Sequence, residues 1–168
     1  MQTNELPKMN MTENTTGCCP KFNPEGWDGR HLHLENKPFV RATTRGVLHI
    51  PVNMGSVFTR VQERIEDAGA QDPEGYFVLS RDLSASEAEH YFAVTRPVPD
   101  EEMVMMSGDF LTRVFEGPYR HAKTWVHDME TAAIADGHTA KRIFMFYTTC
   151  PKCARAYGEN YVVGVAEI

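Results

Sequence analysis

The sequence lacks a long apolar run. None of its 168 residues lies in a stretch near the roughly 20 consecutive apolar positions that a membrane-spanning helix needs. Basic clusters are also missing. The 17 Lys and Arg are scattered against 23 Asp and Glu, for a net charge of -6. Neutralising phosphates needs grouped cations, so a nucleic-acid partner is not expected. The start, Met1-Gln-Thr-Asn-Glu-Leu-Pro-Lys8, lacks the basic residues and apolar core of a secretory signal, which predicts a cytoplasmic protein. No Ser-His-Asp order, phosphate loop or His-Glu-x-x-His signature is present. His121 and His127 on one predicted helix do not share a face, which argues against a metal pair there.

Cysteine is scarce, but its placement is informative. The four cysteines come as two pairs, Cys18-Cys19 near one end and Cys150-Pro-Lys-Cys153 near the other. In a reducing cytoplasm disulfides are disfavoured. Two converging thiol pairs make a soft tetrahedral donor set, so a structural zinc at Cys18, Cys19, Cys150 and Cys153 is the metal reading. His31 or His33 could replace one of these ligands. Redox chemistry through the Cys-x-x-Cys pair, as in a metal or thiol redox sensor, and plain buried or free thiols stay open as alternatives.

Hydrophobic residues at 42% and charged residues at 24% fit one globular domain or two small packed halves. Residues 1–38 form a polar, turn-rich arm, of which the first ~17 residues are expected to be mobile. Phe22 and Trp27 are costly to leave in water, so the rest of the arm should lie against the main body. Arg30 to Glu35 alternates as a short strand, with Leu32 and Leu34 on one face and His31 and His33 on the other. From residue 39 the pattern reads as extended structure over 40–53, a helix capped by Ser56 and stopped by Gly69, then strands at 76–79 and 89–95. The second half repeats this order: a strand over 103–115, a helix over about 120–136 started by Pro118, then strands at 140–147 and 161–166. Gly55 and Gly117 precede the two helices, Gly69 and Gly137 end them, and a Glu-x-Tyr recurs at Glu89 and Glu159. The fold expected is α+β. Tandem strand–helix–strand–strand units, 39–100 and 101–168, would form one antiparallel sheet with both helices on one face and a ligand groove where the halves meet.

Duplicated units of this kind, with Gly117-Pro-Tyr119 at the second helix and Tyr147 in the following strand, resemble the gyrase-inhibitor-like (GyrI-like) small-molecule-binding superfamily. The resemblance covers residues 39–168. The Cys-Cys-Pro arm and the Cys-Pro-Lys-Cys turn look like additions of a bacterial subgroup. Members of the superfamily include drug-sensing effector domains, stand-alone modulators and hydrolases of reactive xenobiotics. In many of them a ligand-facing Glu sits two residues before the strand Tyr, where this chain has Met145. A thioether neither pairs with a cation nor polarises water. Glu116, Glu89 and Glu159 are then the carboxylates available.

The resemblance implies that a small, largely apolar molecule binds in the groove, lined by Tyr119, Trp125, Met145 and Tyr147, with Trp27 over it. Strand parity puts Ile143, Met145 and Tyr147 on one face and Phe144 and Phe146 on the other. For most of the aromatics an ordinary core is the commoner place. A hydrolase on the same fold would use Glu116 as base and Tyr147 as acid or orienting group. The partners read from the chain are a small-molecule ligand and, at most, a second copy as a homodimer.

Overall fold

The computed structural model describes residues 2–73 and 75–168. In chain order the elements are β1 (His31–Val47), β2 (Ile50–Pro51), α1 (Met54–Asp67), β3 (Val78–Asp82), β4 (Glu87–Ala93), β5 (Glu102–Glu116), α2 (Ala122–Ala135), β6 (Arg142–Tyr147), α3 (Pro151–Tyr157) and β7 (Tyr161–Glu167). The strands pair antiparallel and the fold is α+β, as the sequence predicts. The chain divides into two compact units, residues 36–106 and residues 1–35 with 107–168. None of the helices is long and apolar enough to cross a membrane, among the described residues.

In the unit of residues 36–106, β4 pairs with β1 on one side and β3 on the other. Val57, Val61 and Ile65 recur at helical spacing on α1 and pack on Val40, Ala42 and Phe92. The helix starts two residues before the expected cap. Ser56 lies inside it, and its hydroxyl turns back to the Asn53 carbonyl at 3.0 Å. β1 is one long strand rather than two segments. Pro38 lacks an N–H, but its carbonyl still accepts from Val94 N at 3.1 Å, and Asn36 at φ 49 absorbs the local bend.

Two buried polar groups sit on opposite faces of β4. His90 lies under Phe58, with its ring nitrogens 2.7 Å from Ser80 Oγ and 2.8 Å from Thr44 Oγ1. On the other face, beside Tyr91, Glu89 accepts from Arg41 Nε at 3.0 Å and from Arg81 Nε at 2.9 Å. Burial works against charge on Glu89, but the two guanidinium forks outweigh it and hold the carboxyl below the usual range. Its oxygens are fully engaged, which suits a structural anchor rather than a proton acceptor.

In the other unit β7 is central, between β6 and β5, with Tyr147, Val162 and Phe115 in register across the three strands. Helix α2 covers one face, where Trp125 and Met129 pack on Met145, Val162 and Ala166. The approach is close. A Cβ at Gly164 would meet Met129 Sδ at 2.5 Å, so any larger residue would force Met129 and Phe115 to shift. The N-terminal arm covers the opposite face. Phe22 and Trp27 meet the Phe146 ring at 6.1 and 5.7 Å. The arm also pairs along β5. Gly29 N donates to Thr112 O, Thr112 N donates to Arg30 O, and Val114 N donates to the Asp28 carboxylate, each at 2.9 Å. The Thr112 hydroxyl adds a bond to the Trp27 carbonyl.

Burial pushes His90 down to about 4 from an ordinary 6.5. The folded state keeps the ring neutral, while the unfolded chain takes up a proton below pH 6.5. Stability is therefore intact above that pH and lost as pH falls toward 4, by about 3 kcal/mol at most. Urea unfolding between pH 7 and pH 4 should show this loss, and His90→Gln should flatten it. An unchanged slope in the variant would remove His90 as its source.

Candidate metal centre

Strand β6 ends at Tyr147, and Thr148 and Thr149 carry the chain to Cys150. The Cys-Pro-Lys-Cys stretch is not a bare hairpin turn. Cys150 is the N-cap of α3, Pro151 opens the helix, and Gly158 closes it in the left-handed conformation at φ 72. One helical turn brings Cys153 back beside Cys150. Cys153 N approaches Cys150 Sγ at 3.5 Å, the geometry of an N–H···S bond.

The arm supplies the other two thiols. The Sγ atoms of Cys18, Cys19, Cys150 and Cys153 all lie within 4.8 Å of one another. Cys18 and Cys19 sulfurs are 3.7 Å apart. A tetrahedral zinc with sulfur at about 2.3 Å has edges of about 3.8 Å, so this pair already has the spacing of two ligands. Adjacent cysteines therefore serve one point in space, the weakest link in the sequence argument. Among the described residues these four form the group able to hold a metal ion. His31 and His33 are engaged elsewhere, with Asp136 at 2.9 Å and Asp109 at 2.7 Å.

Polar groups around the sulfurs orient them. Cys150 N donates to Cys19 Sγ at 3.5 Å, and the Thr16 hydroxyl lies 3.2 Å from Cys153 Sγ. The Tyr157 hydroxyl donates to the Cys19 carbonyl at 2.6 Å, which ties α3 to the arm. Burial opposes charge on Cys153, but hydrogen bonds, from Thr16 first, bring its thiol down to about 6. Burial pushes the Cys19 thiol up. For Cys18 the Cys19 bond pulls down, yet burial and the neighbouring sulfurs raise it overall. Four thiolates this close repel one another, and a divalent cation removes that repulsion. Thr16 and Tyr157 were invisible to spacing arguments, because their roles arise only when the arm meets α3.

Of the remaining residues singled out from the sequence, Glu89 lies in the unit of residues 36–106, while Trp27, Glu116, Tyr119, Trp125, Met145 and Tyr147 share the unit of the cysteines and divide between two faces. Trp125, on the buried face of α2, packs against Met145 of β6, which is 3% exposed. Tyr147 is half-buried on that side, with Tyr119 at a ring distance of 5.7 Å. Trp27 is 1% exposed and packs on the opposite face, against Phe146. Glu116 ends β5 opposite Tyr161, whose ring meets Phe22 of the arm at 6.1 Å. Tyr119 donates from its hydroxyl to the Thr149 carbonyl at 2.6 Å. Burial, then the nearby cysteines, raise it to about 12. On the α2 side, Arg113, Phe115, Asp128 and Thr131 line an open depression of about 260 Å³ that no motif announced.

A family model described as bacterial hydrolase matches residues 9–168. The chain belongs to the bacterial hydrolase family. The match takes in both cysteine pairs, so the metal-capable corner lies within the family region. No curated protein matches the chain significantly.

For this family member, protein purified under reducing conditions should carry one zinc per chain by atomic emission. Cys153→Ser should lose that metal and lower the melting temperature by roughly 10 °C, as expected when a structural site is lost. Equal metal content in the variant would show that the cysteines are not the ligands.

Proposed function

We propose that the protein is a hydrolase of small, largely apolar molecules, fastened by a structural zinc at Cys18, Cys19, Cys150 and Cys153. The observation that carries the zinc is the closed set of four sulfurs within 4.8 Å. Four soft donors fill a tetrahedral shell and leave no position for water, which is the arrangement of structural sites. The metal would hold the arm to α3, and with it the aromatic cover of Phe22 and Trp27. Membership in the bacterial hydrolase family supports the reaction class. The substrate class follows the resemblance to GyrI-like proteins, some of which hydrolyse reactive xenobiotics.

The substrate is assigned to the α2 side of the β6–β7–β5 sheet. Tyr147 is half-buried there, and the depression offers Arg113 and Asp128 as polar contacts beside Phe115. Tyr147 would act as acid or orienting group. Glu116, the base named from the sequence, lies on the other face opposite Tyr161, so it stands as an alternative centre to Tyr147 and not as its partner in one step. Single substitutions separate the two. With activated esters and epoxides as probes, Tyr147→Phe should lower kcat/KM by about 100-fold, the usual scale for a lost acid or base group. The same loss in Glu116→Gln alone would move the site to the arm side. Full turnover in both variants would overturn both assignments. Stoichiometric binding without product, across the probes, would overturn the hydrolase reading in favour of ligand binding.

A further inference from the structure

The peptide group joining Thr149 and Cys150 is hydrogen-bonded at both ends. Its carbonyl accepts from the Tyr119 hydroxyl at 2.6 Å. Its N–H donates to Cys19 Sγ at 3.5 Å. One rigid plane therefore links a tyrosine on the α2 side to a sulfur supplied by the arm. Thr149 is buried, and Tyr119 is half-buried.

Tyr119 is well held for such a role. Pro118 precedes a 3-10 turn at Tyr119–His121, which runs directly into α2. That helix is anchored on the sheet through Trp125 and Met129. The Tyr119 ring also rests on Tyr147 at 5.7 Å. Both ends of the link are thus attached to packed elements, and neither can drift without disturbing a core.

We infer that Tyr119 is a positioning residue for the metal centre, acting through the Thr149–Cys150 peptide on the Cys19 sulfur. This rests on the metal reading above. Donation to a peptide carbonyl polarises the whole amide, so its N–H becomes a stronger donor. A stronger N–H···S bond favours the charged sulfur that a metal requires and fixes its direction. Groups of this kind beyond the ligands typically contribute 10- to 100-fold, as about that range is lost on their removal. The role uses the proton of the Tyr119 hydroxyl at the junction of β6 and α3.

The test compares wild type and Tyr119→Phe, with Zn²⁺ and Co²⁺ alone as probes. Phe keeps the ring packing and removes only the donor. Zinc affinity, read by competition with a chromogenic chelator, should fall by about tenfold or more. The sulfur-to-cobalt charge-transfer band should shift in energy, which a loss of general stability would not cause. Equal affinity with an unshifted band would overturn the inference. In wild type, chelating the metal should also give a tyrosine ultraviolet difference spectrum, as the Tyr119 bond relaxes. That measurement stands even if the variant folds poorly, and a flat difference spectrum counts against the link. Wild type that binds neither ion would instead defeat the metal reading itself, so the two failures are distinguishable.

Discussion

The structure of the second unit depends on the convergence of four sulfurs from two ends of the chain. Cys19 and Cys150 are 131 residues apart in sequence, yet they share an N–H···S contact. Closing a loop of that length carries an entropic cost that grows only slowly with length, and the buried aromatics of the arm offset it. The sulfurs then complete what burial begins. Phe22 and Trp27 press the arm onto β6, and the thiol cluster fastens the segment just before them to α3. Without a cation, charge in the cluster has to be limited. Hydrogen bonds, from Thr16 first, bring the Cys153 thiol down, while Cys18 and Cys19 are pushed up.

Strand parity divides the labour of β6. Met145 faces α2, and Phe146 faces the arm. The same alternation continues into the neighbouring strands, where Phe115 stacks on Trp125 while Glu116 sits opposite Tyr161. The strand therefore has two buried sides made by different parts of the chain, a helix and an irregular arm. An irregular arm can cover a sheet only if its backbone groups find partners. Here β5 provides them through Thr112, whose carbonyl accepts from Gly29 N and whose N–H donates to Arg30 O.

Much of this was legible from local pattern. The paired cysteines, the alternation in Arg30–Glu35, the α1 stripe and the burial of Phe22 and Trp27 all follow from spacing or apolarity. Helix α3 was not read, although Pro151 and Gly158 mark its ends, because a stretch with two cysteines suggested a turn. Trp125 and Met145 are expected toward a ligand by resemblance, and in the structure Trp125 of α2 packs on Met145 of β6. Periodicity tells which residues share a face, but not what lies against it. Thr16 and Tyr157 show the same limit, since each acts on a cysteine more than 130 positions away.

The closed sulfur shell also bears on where chemistry can occur. Four thiolates around a divalent cation give a net charge of about −2, balanced only in part by donors such as Thr16 and Cys150 N. Such a centre has no open position to activate water and little pull on a carbonyl oxygen. With zinc bound there, the hydrolytic step proposed above would draw its acid, base or nucleophile from side chains away from the cysteines. Glu89, saturated by Arg41 and Arg81, and His90, held between Ser80 and Thr44, are already committed to the core of the other unit. The α2 side of the sheet holds half-buried Tyr147 on β6 and, at β5, a separate open depression lined by Arg113 and Asp128, so partial exposure and polar groups both occur on that side.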